Sequence, residues 1–193
     1  MTHFTNSSLR SAVEKELNRL TANLDRASAK DACNIRKAIT ATNNMSRLLE
    51  ACGERFEANS EVYTADRDFE LFNYGTVAEQ ALFFLYTRRN SEKSEKVGFD
   101  HTIKRAKCEF KACLSHSSKN TAYKPNDNGR FADVLLVNAV GVFYIPAEYA
   151  VTLVDSRGRF NPIKDYADYV PEARKELCEV LTMKIYGEEE VGE

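Results

Sequence analysis

Residues 106–114 (AKCEFKACL) alternate between two kinds of side chain, and this alternation constrains the fold more than any other stretch of the chain. A period of two predicts a β-strand, in which neighbouring side chains point to opposite faces. The two predicted faces are Ala106, Cys108, Phe110, Ala112 and Leu114 on one side, and Lys107, Glu109, Lys111 and Cys113 on the other. The strand therefore predicts a sheet with an apolar back and an acid beside a lysine on its polar face.

The register of a hairpin before this strand decides whether a second acid joins the polar face. A hairpin centred between Lys104 and Arg105 places Asp100 opposite Glu109, on the face of Lys111. Lys-Arg is a poor two-residue turn, because type I′ and II′ turns favour Gly, Asn or Asp, but a four-residue loop keeps the same centre. A loop of three or five residues would shift the register and direct Asp100 away. Convergence of two acids and a lysine, which could hold a divalent metal, is thus a hypothesis about register.

Composition limits the class of protein. A chain of 193 residues suffices for one domain, with or without a helical appendage. No stretch approaches the ~20 apolar residues of a membrane span, and the first residues lack the basic and apolar segments of a secretory signal. The five cysteines form no C-x-x-C pair, which favours a reducing compartment and argues against zinc. We expect a soluble, cytoplasmic protein that does not bind membranes.

Charge is distributed unevenly along the chain. The formal net charge is −2, yet residues 88–130 contain eleven Lys or Arg against five Asp or Glu. A basic middle on an acidic protein is typical of a phosphate-binding face with solubilising flanks. A charged surface hairpin with a chance excess of lysine is the alternative.

Two helices are predicted before residue 60. Residues 8–26 carry a leucine stripe at helical spacing and a capping-box pattern from Ser11 to Glu14. A second helix is expected over about 30–52, ending at Gly53. We expect these helices to form a hairpin, which could pack on the core, pair with a second subunit or clamp DNA. A helix-turn-helix is disfavoured, since no turn residue divides the second helix.

The remaining elements alternate between helix and strand. Residues 54–74 are mixed, and an apolar helix over 75–86 is expected to have Thr76 as its N-cap and Glu79 at position N3. Residues 131–137 and 141–146 are predicted strands, and a last helix runs from Pro171 to Gly187. We expect a helical hairpin over 1–60, a core over 61–165, and a helix with an acidic tail over 166–193.

The order of several motifs resembles the PD-(D/E)XK nuclease superfamily, in particular its small endonucleases. The motifs are residues 75–80 (GTVAEQ), Asp100, residues 109–111 (EFK), residues 132–137 (ADVLLV) and residues 143–146 (FYIP). The resemblance covers roughly residues 72–150, and Gly98-Phe99 stands where the family has a proline before the aspartate. It implies a restriction-endonuclease-like α/β core, in which helices flank a mixed central sheet.

The resemblance also implies roles for individual residues. Asp100, Glu109, the carbonyl of Phe110 and Glu79 would hold Mg²⁺, or Mn²⁺ in its place, and Lys111 would orient or deprotonate the attacking water. The implied activity is metal-dependent hydrolysis of DNA, and a homodimer is expected because one such site cuts one strand. Glu109 and Lys111 could instead be an exposed face of alternating charge, and Glu79 a capping acid.

Residues around the predicted site are suited to binding DNA by charge and by hydrogen bonds. The predicted DNA contacts are Lys104, Arg105, Lys107, Ser115, Ser117, Ser118, Lys119, Asn120, Lys124 and Arg130. Two other classes of function stay open: a nucleic-acid-binding module with a vestigial site, and a helical interaction protein that uses residues 8–52.

Overall fold

The structure of the protein is a computed structural model. It describes residues 2–66, 69–90, 101–103, 106–115, 123–125, 129–160 and 165–187, which form a mixed α/β fold. The helices are α1 (Asn6–Leu24), α2 (Ala29–Cys52), α3 (Tyr74–Thr87), α4 (Ala147–Ala150) and α5 (Glu172–Tyr186). The strands are β1 (Thr2–Thr5), β2 (Glu57–Ser60), β3 (Val62–Asp66), β4 (Phe69–Phe72), β5 (His101–Ile103), β6 (Ala106–Cys113), β7 (Asp133–Asn138) and β8 (Val142–Ile145).

The first helix begins earlier than its sequence pattern predicts. Thr5 is its N-cap, because its hydroxyl accepts a hydrogen bond from the amide of Ser8 at 3.3 Å. The capping box predicted at Ser11 is therefore wrong, and Ser11 lies within α1. The buried side chain of Asn6 donates to the carbonyls of Leu49 and Gly53 at 2.9 and 2.8 Å, so it ties the start of α1 to the end of α2.

The central sheet has the strand order β5-β6-β7-β8. β5 pairs with β6 and β7 pairs with β8 in antiparallel fashion, whereas β6 and β7 are parallel. Two smaller antiparallel pairs, β1 with β2 and β3 with β4, occupy the segments that the sequence left unassigned or mixed. No helix in the described part of the chain has the length and apolar character needed to cross a bilayer.

Apolar clusters cover both faces of the central sheet. The larger cluster joins α1, α2, α3 and α5 to Phe110 of β6 and Leu135 of β7. The smaller cluster, on the opposite face, contains Cys113, with 2 % of its surface exposed, beside Val134 and Leu136. The prediction that Cys113 continues a polar face is therefore wrong, because loops and aromatic rings cover that end of β6. The charged part of this face ends at Lys111, the sixth of the eight residues of β6.

Candidate active site

The β5–β6 hairpin has the register that the sequence hypothesis requires. Its described pairs are Ile103 with Ala106, Thr102 with Lys107 and His101 with Cys108. The centre therefore lies between residues 104 and 105, as predicted. Asp100, like Lys104 and Arg105, lies outside the described residues, so its placement opposite Glu109 stays a prediction.

Lys111 lies between two carboxylates. Its Nζ atom is 2.6 Å from Oε1 of Glu109 and 3.7 Å from Oε1 of Glu79. The side chains of Lys111 and Glu109 are only 12 % and 14 % exposed, while that of Glu79 is 33 % exposed. Burying an unpaired charge costs free energy, so the ammonium of Lys111 is held where it can pair with these carboxylates. The structure thus brings together three of the predicted site residues.

Helix α3 positions Glu79 beside Lys111. Asn73 caps α3 by accepting a hydrogen bond from the amide of Thr76 at 3.3 Å, so the prediction of Thr76 as the N-cap is wrong. Glu79 is consequently six residues beyond the cap and cannot be the N3 acid of a capping box. One turn later on the same side of the helix, Phe83 packs edge-on against Phe110 of β6, with ring centroids 5.5 Å apart. This aromatic contact holds Glu79 beside β6.

The metal ligands predicted from the sequence are only partly in the described region. Glu79 and Glu109 share the ammonium of Lys111, and Oε2 of Glu109 is buried from solvent. Phe110, whose carbonyl was predicted as a ligand, lies in β6 opposite Leu135 with its side chain in the core. Within the described residues, no three His, Cys, Asp or Glu side chains form a group that could hold a metal ion. The third acid predicted from the sequence, Asp100, lies outside the described residues.

The predicted DNA contacts divide into three groups. Lys107, Lys124 and Arg130 are exposed, as a backbone-binding role requires. Ser115, two residues beyond the end of β6, is buried, so its side chain is not presented at the surface. The others lie outside the described residues, namely Lys104, Arg105, Ser117, Ser118, Lys119 and Asn120.

An acid that the sequence left out of the ligand set has a structural role. Asp133, the first residue of β7, accepts hydrogen bonds from the hydroxyl of Tyr144 and from the amide of Ala147 at 2.9 Å. Burial, and then the bond to Asp133, raise the pKa of Tyr144, and the guanidinium of Arg174 lies 4.9 Å from the centre of its ring. Asp133 thus joins β7 to the end of β8, and only its position at the start of a strand hinted at this.

Asn44 was not identified from the sequence. It lies on α2, is buried, and its side-chain amide donates to the carbonyl of Leu114 at 2.9 Å. Leu114 directly follows β6, so this bond attaches the strand of Glu109 and Lys111 to α2. An asparagine within a mostly polar helix gives no signal that would separate it from surface residues.

Comparisons of the chain with protein-family models, with curated proteins and with solved structures find no match. The chemistry of the site itself is compatible with phosphate esters. Carboxylate oxygens are the ligands that Mg²⁺ favours, and a fixed ammonium can neutralise charge on phosphate oxygens.

Proposed function

We propose that the protein is a metal-dependent endonuclease that hydrolyses phosphodiester bonds in DNA. One observation carries the proposal: Nζ of Lys111 lies 2.6 Å from Glu109 on its own strand and 3.7 Å from Glu79 on α3. Glu79 is far from the other two residues in sequence, so their meeting follows from the tertiary fold. The resemblance of the chain to PD-(D/E)XK nucleases selects these same three residues.

The donor set fits a hard divalent cation. Glu79 and Glu109 already share one cation, the ammonium of Lys111, and one oxygen of Glu109 is withdrawn from solvent. Mg²⁺ keeps several waters and needs only one or two carboxylates besides the substrate phosphate. We propose Glu109, Glu79, Asp100 and the carbonyl of Phe110 as the ligands of Mg²⁺, or of Mn²⁺ in its place. Asp100 would have to continue the described hairpin register by one pair.

The side chains of the chain have distinct roles in this proposal. When bound, the metal would supply Lewis-acid charge and a more acidic water. Lys111 would neutralise charge that develops on the phosphate and orient the attacking water. Glu109 holds the ammonium in place, and Asn44 anchors the strand that bears both residues. Lys107, Lys124 and Arg130 would bind the DNA backbone.

The proposal extends to the fold and the assembly. The four-stranded mixed sheet, with α3 against β6, would be a restriction-endonuclease-like core, and α1 with α2 its N-terminal helical hairpin. Two copies of the chain would be needed to cut both strands of a duplex at one place, so we propose a homodimer.

Cleavage assays test the activity directly. Supercoiled plasmid, linear duplex and branched DNA would be incubated with Mg²⁺ or Mn²⁺ and the wild type, Lys111→Ala or Asp100→Asn. Lys175→Ala is the matched control, because Lys175 also pairs with a glutamate, Glu172, but lies exposed on α5. We expect cutting that requires metal, is retained in the control and is lost in both site variants.

Other results would point to the alternative functions. DNA binding that is equal in wild type and site variants, without any cutting, would refute the nuclease and favour a binding module with a vestigial site. Absence of both metal-dependent cutting and salt-dependent DNA binding would favour a helical interaction protein instead.

A further inference from the structure

A stack of aromatic rings runs from the smaller core cluster to the surface. Phe160 is fully buried, and its ring lies 5.3 Å from that of Tyr123, with 32° between the planes. The Tyr123 ring lies 4.8 Å from that of Phe131, with 35° between the planes. Phe131 is the outermost ring and is 37 % exposed. Its support is fixed, because Tyr123 is buried and its hydroxyl donates to the carbonyl of Ala132.

The stack lies on the sheet face that carries Glu109 and Lys111. In the parallel register, Glu109 is opposite Val134 and Lys111 is opposite Leu136, so these four side chains share a face. Val134 and Leu136 belong to the same cluster as Tyr123 and Phe160. Burial raises the pKa of the Tyr123 hydroxyl, and the negative charge of Glu109 raises it further.

Phe131 is also close to the site along the strands. It precedes the first residue of β7, Asp133, by two positions, and Asp133 is paired with Cys108, the neighbour of Glu109. Lys111 itself is paired with Leu136, five positions beyond Phe131, and five residues of extended chain cover about 17 Å, the length of a few nucleotides of single strand. A DNA strand bound at Lys111 could therefore place on Phe131 a base that lies a few nucleotides away.

Basic residues flank the exposed ring. Arg130 precedes Phe131 in the chain, Lys124 follows Tyr123, and all of Arg130, Lys124 and Lys107 are exposed. Proteins that bind single-stranded nucleic acid combine cations that follow the phosphates with aromatic rings on which bases stack. A hydrophobic partner protein would gain nothing from these three cations.

We propose that Phe131 is a stacking platform for an unpaired base, and that the substrate is DNA with a single-stranded or locally opened segment a few nucleotides from the scissile phosphate. The proposal rests on the proposed nuclease function. A base inside an intact duplex has both faces covered by its neighbours, so the duplex offers no free face to Phe131. An unpaired base offers one, and the buried Tyr123 holds the receiving ring ready.

Binding measurements separate this platform from a general DNA contact. Fluorescence anisotropy would follow a labelled single strand and an intact duplex of the same sequence, with Ca²⁺ in place of Mg²⁺ to prevent cutting. The variants are Phe131→Leu and Phe131→Trp, with Tyr63→Leu as the matched control, since Tyr63 is an exposed aromatic, 49 % exposed, on β3. Phe131→Leu should weaken single-strand binding roughly 5- to 150-fold and leave duplex binding within about 2-fold. Phe131→Trp and the control should bind like the wild type.

A second series identifies the stacked base. Single strands carrying one abasic position, moved along the sequence, should show one position at which wild-type binding falls as far as it does in Phe131→Leu. At that position the variant should lose nothing further, because the ring and the base act as one pair.

The outcomes distinguish this proposal from the nuclease proposal. Equal effects of Phe131→Leu on single strand and duplex, no effect on either, or additive losses at every abasic position would overturn the platform while leaving the nuclease intact. Failure of the wild type to bind any DNA would overturn both proposals.

Discussion

The two ion pairs of Lys111 differ in how far they are buried, and two double-mutant cycles measure the coupling free energy of each pair. Coulomb attraction at an effective dielectric constant of about 20 is about 6 kcal/mol at the 2.6 Å separation from Glu109. Glu79 is farther away, at 3.7 Å, and a third exposed, so with a water-like dielectric constant its attraction is about 1 kcal/mol. Desolvation cancels much of the larger value. We expect a coupling free energy of about 2–4 kcal/mol between Lys111 and Glu109, and below about 1 kcal/mol between Lys111 and Glu79.

The assay is urea unfolding of the wild type, Lys111→Met, Glu109→Gln, Glu79→Gln and the two double variants, followed by circular dichroism. Each coupling free energy is the change in the free energy of unfolding of the double variant minus the sum of the changes in its two single variants. This subtraction removes the effects of other partners. Couplings of equal size, or a Lys111–Glu109 coupling below about 0.5 kcal/mol, would refute the view that burial makes this pair the principal electrostatic contact of the site.

Three further predictions concern other parts of the molecule. Asn44→Ala should lower the free energy of unfolding by about 1–3 kcal/mol, measured in urea, because it leaves the carbonyl of Leu114 buried without its donor; no change would contradict the link. Burial raises the pKa of the Cys178 thiol to about 11. At pH 8 a disulfide reagent should therefore label the exposed Cys33 far faster than Cys178, as mass spectrometry of the peptides would show. Arg130→Gln should reduce the salt dependence of DNA binding, with the slope of log K against log salt changing by about 1; an unchanged slope would exclude a phosphate contact.

The sequence predicts the central elements of this fold because their patterns are local. The alternation in residues 106–114 predicts β6, and the apolar run that begins at Phe131 predicts β7, whose observed bounds are Asp133–Asn138. The hairpin centre between residues 104 and 105 is also correct, since the polar face of β6 fixes the register of its partner. Glu79, Glu109 and Lys111 follow from motif order, and their meeting in space agrees with that choice.

What the sequence misses depends on contacts between distant segments. β1 pairs with β2 more than fifty residues later, and four residues before a helix carry no strand signal of their own. Cys113 and Tyr123 are buried in the smaller core cluster. No local pattern predicts this burial, because Tyr123 lies in a polar stretch of sequence. The N-cap of α3 is Asn73, three residues before the predicted Thr76, and either residue type can accept the capping bond.

The larger core cluster limits how the chain can be shortened for experiments. Leu9 and Val13 of α1 and Leu48 of α2 share this cluster with Leu82 of α3 and Leu181 of α5. Removing residues 1–60 would expose the inner side of α3, the helix that positions Glu79, and the carbonyl bound by Asn44. A shortened protein that starts after α2 should therefore aggregate, and its lack of activity would say nothing about whether the helices touch a substrate. Point variants on the outer surfaces of α1 and α2, in the full chain, are the way to examine that question.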